Sequence, residues 1–179
     1  PKRAKMAEAC QKATRYLLER LTAFEWPQPA PSPDVIAAVL ATRGGDLLDT
    51  MDRMVALQRL HGRRGLLKAA KVVERTHNIL KSAKVTQEQV DPSRLQEEPE
   101  QRLWQLYSAS KDRVQGLIAG RAYADATEAY GETFFEPLNQ FFDKVMVNVP
   151  DEALQQNRLA LMRALKTLYT DAVADLSKL

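Results

Sequence analysis

Apolar residues recur at steps of three and four along most of the chain, the spacing that places them on one face of an α-helix. Near the C-terminus, Pro150 fits a first helical turn, and Asp151 and Glu152 follow it where a helix dipole favours carboxylates. We therefore predict a long closing helix from Pro150 towards Leu179. Its apolar stripe would consist of Leu154, Leu161, Leu165, Leu168, Ala172 and Leu176.

Comparable stripes predict helices in the first third of the chain. The first helix runs to about Phe24, and a short second helix begins after Ser32 and stops at Gly44 and Gly45. Asp46 then begins a third helix. Its predicted apolar face consists of Leu47, Leu48, Met51, Met54, Val55, Leu57 and Leu60.

The second half of the chain predicts three more helices before the closing one. One carries Glu100 in its first turn and ends around Gly120, a three-turn helix covers residues 123–130, and a further helix with Pro137 near its beginning follows Gly131. Phenylalanines cluster here and are expected in the core, with stacking on RNA bases as the alternative. The sequence has no alternating strand pattern, so we predict an all-α bundle of about seven to eight helices.

Proline divides the chain into two parts. Residues 26–33 alternate proline with other residues, which favours an extended and stiff connection. Residues 1–33 are therefore assigned to an N-terminal helix and a Pro-rich spacer, and residues 34–179 to a helical domain. Because the sequence begins at Pro1 inside a predicted helix and without methionine, we expect it to be a piece of a longer protein.

Composition excludes several classes of protein. No apolar run approaches the ~20 residues of a membrane span, and no hydrophobic leader follows the basic N-terminus, so we expect a soluble intracellular chain. The single Cys10 can form neither an internal disulfide nor a zinc knuckle. The two histidines have no partner at catalytic or metal spacing. No catalytic residue and no metal site are predicted.

Basic residues are concentrated between Arg53 and Lys84, where nine Lys or Arg residues face one acid, Glu74, for a local charge of +8 in a chain of net charge +3. Within this segment, side chains at steps of four, three, four and three share one helix face. They are Arg64, Lys68, Lys71, Arg75 and Asn78, and Arg63 and Lys81 lie at the two ends. We call these seven residues the basic ridge, and we expect it to be a nucleic-acid contact.

Two alternatives stay open at this point. The basic ridge could be an ordinary solvated surface, although like charges four residues apart repel each other. Asn157 and Arg158 form a second polar pair that could contact RNA, but their place within an apolar stripe favours hydrogen bonds between helices instead. His77 is expected to be partly buried. The acidic connector at residues 84–99 lacks an apolar pocket and a partner histidine, so it predicts no acid/base site.

Several segments resemble the C-terminal domain of the β subunit of the bacterial-type heterotetrameric glycyl-tRNA synthetase. The C-terminal segments are FFDKVMVN at 141–148, DEAL at 151–154, NRLAL at 157–161 and ADLS at 174–177. The upstream segments are DVIAAVLA at 34–41, MVALQ at 54–58, KVVERTHNILK at 71–81 and VDP at 90–92. The resemblance covers residues 15–179. The chain departs from the family in a longer spacer at 26–33 and in His77, where a smaller residue is more common.

The resemblance implies a DALR-type helical anticodon-binding domain, the type shared with class I arginyl-tRNA synthetases. Glycine tRNA, the α subunit and the rest of the β subunit would then be the partners of a cytoplasmic enzyme, or of an organellar one if the parent is a plastid-type fusion. Neither DNA nor a membrane is expected as a partner. ATP and Mg²⁺ would serve the whole enzyme, with no cofactor in this part. The alternative is a docking module for subunit assembly that makes no RNA contact.

Overall fold

A computed structural model describes residues 13, 16, 20, 24–26, 28–42 and 46–179. Within these ranges the elements with complete bounds are six α-helices and two 3-10 turns, and there is no strand, so the predicted all-α class is confirmed. The helices are α1 (Pro33–Leu40), α2 (Leu47–Arg59), α3 (Arg64–Lys81), α4 (Glu98–Ala119), α5 (Tyr123–Lys144) and α6 (Glu152–Thr170). The 3-10 turns are Pro92–Arg94 and Leu176–Lys178.

Two predictions fall largely outside the described residues. The predicted N-terminal helix is described only at Ala13, Tyr16 and Arg20, which are helical, and at Phe24. Cys10, Gly44 and Gly45 lie outside the described ranges. The second predicted helix does not extend to the two glycines, because it ends at Leu40 with Ala41 as its C-cap. None of the described helices combines the length and apolarity that a bilayer crossing requires.

The sequence predicted two helices between residues 123 and 146, and this prediction is wrong, because α5 is continuous. Gly131 does not interrupt it. A Cβ atom at Gly131 would lie 2.6 Å from the carbonyl oxygen of Gly65 and 2.8 Å from the amide nitrogen of Ala69, so the glycine lets α3 and α5 approach closely. Pro137 sits inside α5, and the buried side chains on both sides of it hold the helix together.

The core lies where α3, α5 and α6 meet. Tyr130 of α5 stacks on Tyr169 of α6 with ring centroids 4.9 Å apart, and both rings are fully buried. The Tyr130 hydroxyl donates to the Leu165 carbonyl at 3.0 Å, and the Tyr169 and Thr127 hydroxyls bond at 2.7 Å. Burial raises the pKa of both tyrosines. The phenylalanines Phe134 and Phe141 are also fully buried, as expected of core residues.

The N-terminal part of α2 corrects the predicted apolar face. Leu47 and Leu48 are exposed, because the buried face of α2 is centred on Thr50, Met54 and Leu57 and consecutive residues lie 100° apart on a helix. Asp46 caps this helix by accepting a hydrogen bond from the Leu48 amide at 3.0 Å, as predicted from its position.

The closing helix is shorter than predicted. It begins at Glu152, because Asp151 is its N-cap and accepts from the Leu154 amide at 3.1 Å, which leaves Pro150 outside. It ends at Thr170, and Ala172 lies beyond it and is exposed. The chain then turns back across α1 and α2. Three hydrogen bonds hold it there: Thr42 Oγ1 to Thr170 O at 2.8 Å, Arg53 Nη1 to Val173 O at 3.1 Å, and Asp175 N to Ala38 O at 2.9 Å.

Candidate nucleic-acid interface

Helix α3 carries the basic ridge and is amphipathic. The chain enters α3 through a turn in which Gly62 has a positive φ of 76°, and the Arg63 amide donates to the Leu60 carbonyl at 2.8 Å. One face of α3 is buried and consists of Leu66, Ala69, Val72, Val73 and Thr76. The rest of the helix surface therefore carries the basic ridge, as the spacing predicted, but Lys68 and Arg75 are only partly exposed.

Lys68 lies at the edge of the ridge that faces α5. Its ammonium group forms an ion pair with Glu132, and its side chain is only 16% exposed. The Glu132 side chain is 57% exposed. The charge of Lys68 is therefore already matched within the chain.

Arg75 lies at the same edge, two helical turns further on. Its guanidinium group is 4.7 Å from the centroid of the Phe142 ring and donates through Nη1 to Asn139 Oδ1. Both contacts join α3 to α5. The geometry gives Arg75 a role in helix packing that the sequence did not predict.

Lys71 faces away from α5. Its Nζ atom lies 2.6 Å from Glu74 Oε2, one helical turn away, but both side chains are largely exposed. An exposed pair of this kind contributes about 0–1 kcal/mol, so an incoming phosphate can compete for the ammonium group.

Four members of the ridge remain fully available. The side chains of Arg63, Arg64, Asn78 and Lys81 are exposed, and none of them forms a hydrogen bond or ion pair with a described residue. Arg53, counted among the nine basic residues, is buried instead and pairs with Asp49 at 3.0 Å. The exposed basic surface is therefore smaller than the sequence predicted.

The two sides of α3 differ in charge. On the α5 side, Glu128 and Glu132 are exposed beside the ridge, and Glu128 lies directly against Gly65. On the other side, a groove separates α3 from the 3-10 turn Leu176–Lys178. This groove, which we call the C-terminal groove, has a volume of about 920 Å³. Its lining includes Leu67, Ala70, Lys71, Asn78, Lys81 and Lys178.

The two histidines lie on the rim of this groove. His77 is half-buried, as expected, and its Nδ1 is 3.3 Å from Lys166 Nζ of α6. His61 is exposed and its Nε2 lies 3.6 Å from Asp34 Oδ2. Among the described residues, no three His, Cys, Asp or Glu side chains are grouped closely enough to hold a metal ion.

Asn157, proposed as a secondary RNA contact, is fully buried. Its Oδ1 accepts from Gln87 Nε2 at 2.8 Å and from the Asp91 amide at 2.7 Å, and its Nδ2 donates to the Asp91 carbonyl at 2.9 Å. It therefore fastens the acidic connector to α6. This geometry agrees with the alternative of internal hydrogen bonding, although the partner is a loop and not a helix.

Arg158, the other secondary candidate, is also buried. Its Nε donates to Glu100 Oε2 at 2.8 Å and its Nη1 to the Met146 carbonyl at 2.9 Å. Glu100 lies in the first turn of α4, as the sequence predicted, and is fully buried there. A capping box in which Glu97 and Glu100 pair with each other's backbone draws Glu100 inward. RNA cannot reach Asn157 or Arg158 in this arrangement.

Sequence reasoning missed the opposite wall of the C-terminal groove. Ser177 and Lys178 lie across from α3, about a hundred positions away along the chain. No local pattern could have found them, because only the fold of the C-terminal turn against α1 and α3 brings them near the ridge.

Comparisons with known proteins agree on one family. Residues 70–174 match the family described as the DALR anticodon binding domain. The chain is 35% identical over 162 residues to the glycine–tRNA ligase beta subunit of Dichelobacter nodosus, covering 90% of the chain and 23% of that protein. It is 36% identical over 165 residues to the same subunit of Escherichia coli, covering 92% of the chain and 24% of that protein.

A third relative, the glycine–tRNA ligase beta subunit of Desulforudis audaxviator, is 33% identical over 144 residues, which is 80% of the chain and 20% of that protein. The chain thus spans about a fifth to a quarter of the length of the curated relatives it matches.

Proposed function

The chain belongs to the DALR anticodon binding domain family, and from this we propose that it binds the anticodon arm of glycine tRNA as one part of a glycyl-tRNA synthetase. The observation that carries the proposal is the family match over residues 70–174, which includes most of α3 and all the helices packed behind it. The similarity to glycine–tRNA ligase beta subunits supports glycine tRNA as the tRNA that is bound.

Catalysis would take place elsewhere in the enzyme. In this proposal, an α subunit activates glycine with ATP and Mg²⁺ in the cytoplasm, and this chain, with the rest of the β subunit, holds the tRNA. The lengths of the relatives support such a division, since each is about four to five times as long as the matched region.

The mechanism rests on the exposed members of the ridge. An anticodon loop presents a curved phosphate backbone and unstacked bases, so its receptor needs cations and planar polar groups. Arg63, Arg64, Lys71 and Lys81 supply accessible positive charge. The amide of Asn78, which bonds to no described residue, can both donate to and accept from a base edge.

The sequence predicted that Lys68 and Arg75 contact nucleic acid, but we assign them a structural role instead. Their groups already bond to Glu132 and Asn139 of α5, so we assign them to holding α3 in place. Their positive charge still adds to the field above the ridge.

The test is a fluorescence anisotropy titration of labelled glycine tRNA with the 179-residue chain, beside a tRNA whose anticodon has been changed. We expect tighter binding of the glycine tRNA. The double variant Arg64→Ala with Lys81→Ala should weaken binding to both RNAs. It should also lower the slope of log K against log salt by about 1.4, since each lost phosphate contact to a single strand removes about 0.7.

Lys144→Ala is the matched control, because Lys144 is an exposed lysine on α5 that forms no ion pair with a described residue. It should leave affinity and slope unchanged. Equal affinity for both tRNAs, with no effect of the double variant, would favour the alternative of a docking module for subunit assembly.

A further inference from the structure

We propose that the C-terminal groove receives a single-stranded stretch of the RNA, with phosphates on its rims and an unstacked base on its floor. This inference rests on the proposed function and deepens it. It assigns an RNA-contacting role to the 3-10 turn Leu176–Lys178 and to Leu67, neither of which belongs to the basic ridge.

Charge favours the groove side of α3 over the α5 side. The rims of the groove carry Lys71, Lys81 and Lys178. Of its two acidic side chains, Glu74 is paired with Lys71, and Asp34 lies 3.6 Å from His61 Nε2. On the α5 side, Glu132 is paired with Lys68, whereas the exposed Glu128 forms no ion pair with a described residue and would repel a polyanion. The phosphate backbone is therefore attracted to the groove.

The floor is apolar and open. Leu67 is 57% exposed, and half-buried Ala70 lies one turn further along α3. A base that has left its stack can lie against such a surface while its edge bonds to a nearby amide. Asn78 lines the same groove, and its amide bonds to no described residue. The volume of about 920 Å³ is also within the usual range of ligand pockets, about 300–1,000 Å³.

The wall opposite α3 is held rigidly. Leu176 is buried, and Asp175 donates its amide to the Ala38 carbonyl at 2.9 Å. The Asp175 carboxylate accepts from the Ser177 amide at 3.2 Å and from the Ser177 hydroxyl at 2.7 Å. The backbone that carries Lys178 is thus fixed in a turn, and binding does not have to order this backbone first.

The first experiment compares Lys178→Ala with Lys144→Ala in tRNA titrations across a range of salt concentrations. Loss of one phosphate contact lowers the salt slope by about 0.7. The ratio of the variant's association constant to that of the unchanged chain should therefore be about fivefold lower in 0.1 M salt than in 1 M salt. We expect this for Lys178→Ala and no change for Lys144→Ala.

The second experiment tests the floor with two exposed apolar residues. Leu67→Ser should weaken tRNA binding a few-fold without changing the salt slope, because it removes apolar contact and no charge. Met146→Ser is the control, since Met146 is 73% exposed and does not line the groove. Because Leu67 is exposed, its replacement should leave the unfolding midpoint nearly unchanged.

The outcomes separate this inference from the proposed function. If glycine tRNA binds and Arg64→Ala with Lys81→Ala weakens it, while Lys178→Ala and Leu67→Ser behave like their controls, the groove assignment is overturned and anticodon binding stands. If the unchanged chain fails to bind tRNA at all, the proposed function fails and the groove assignment fails with it.

Discussion

Arg158 and Glu100 form an ion pair inside the protein, with 2.8 Å between Nε and Oε2 and side-chain exposures of 5% and 0%. Glu100 also accepts from the Glu97 amide at 2.7 Å, and Arg158 donates to the carbonyl of Met146. One pair of side chains therefore joins the start of α4, the middle of α6 and the loop after α5.

Arg158→Met should destabilise the protein strongly. It leaves the Glu100 carboxylate buried without its cation, and breaking a buried pair in this way costs about 3–5 kcal/mol in the free energy of unfolding. Urea unfolding followed by circular dichroism measures this cost. Arg102→Met is the control, because Arg102 is exposed and forms no ion pair with a described residue. Equal costs for the two variants would contradict the structural role of the pair.

Gly131→Ala and Gly116→Ala should have opposite effects. At Gly131 the new Cβ would lie 2.6 Å from the Gly65 carbonyl oxygen, and overpacking of this kind costs about 1–3 kcal/mol. At Gly116 an added Cβ atom would meet no described residue within 4 Å apart from the local backbone of α4, so alanine should stabilise α4 by about 0.4–1 kcal/mol. Thermal unfolding of both variants checks the signs. A stable Gly131→Ala protein would show that α3 and α5 can separate freely.

Tyr123 should make stability depend on pH in the alkaline range. Burial, followed by its hydrogen bond to Asp49, raises the pKa of Tyr123 to about 12 from an ordinary value of 10. Because the folded pKa is the higher one, this stabilisation is complete below pH 10 and is lost as the pH rises towards 12.

Tyr123→Phe isolates that contribution. The difference in unfolding free energy between the unchanged chain and the variant should be constant from pH 7 to about 9 and should shrink between about 10 and 12. Tyr130 and Tyr169 are present in both proteins, so their contributions to the unfolding free energy cancel from the difference. A difference that stays constant up to pH 12 would mean that folding does not raise the pKa of Tyr123.

Glu132→Gln should strengthen tRNA binding. The substitution releases Lys68 from its ion pair and removes a negative charge beside the ridge. The titration described for glycine tRNA should show a several-fold gain in affinity at low salt. Glu88→Gln is the control, since Glu88 is an exposed acid of the connector whose carboxylate pairs with no described cation. An equal gain in both variants would mean that only net charge matters.

Local periodicity was enough to predict α3 and its polar face, because the pattern of buried residues lies within a single helix. Periodicity could not show that Lys68 is already paired within the chain, whereas Lys71 is available to a phosphate. The two share the ridge in sequence, and only Glu132, 64 residues after Lys68, distinguishes them. Gly131 was expected to end a helix because its helix propensity is low, but close packing against α3 requires a glycine there. The wall containing Lys178 likewise depends on contacts between distant parts of the chain.

The contact between Gly65 and Gly131 also sets the rotational angle of α3 about its own axis. Because the two backbones touch, a methyl group on α5 would turn or lift α3 and move every charge that it carries. A substitution at position 131 is therefore expected to shift the charges of the basic ridge without altering any residue of the ridge itself.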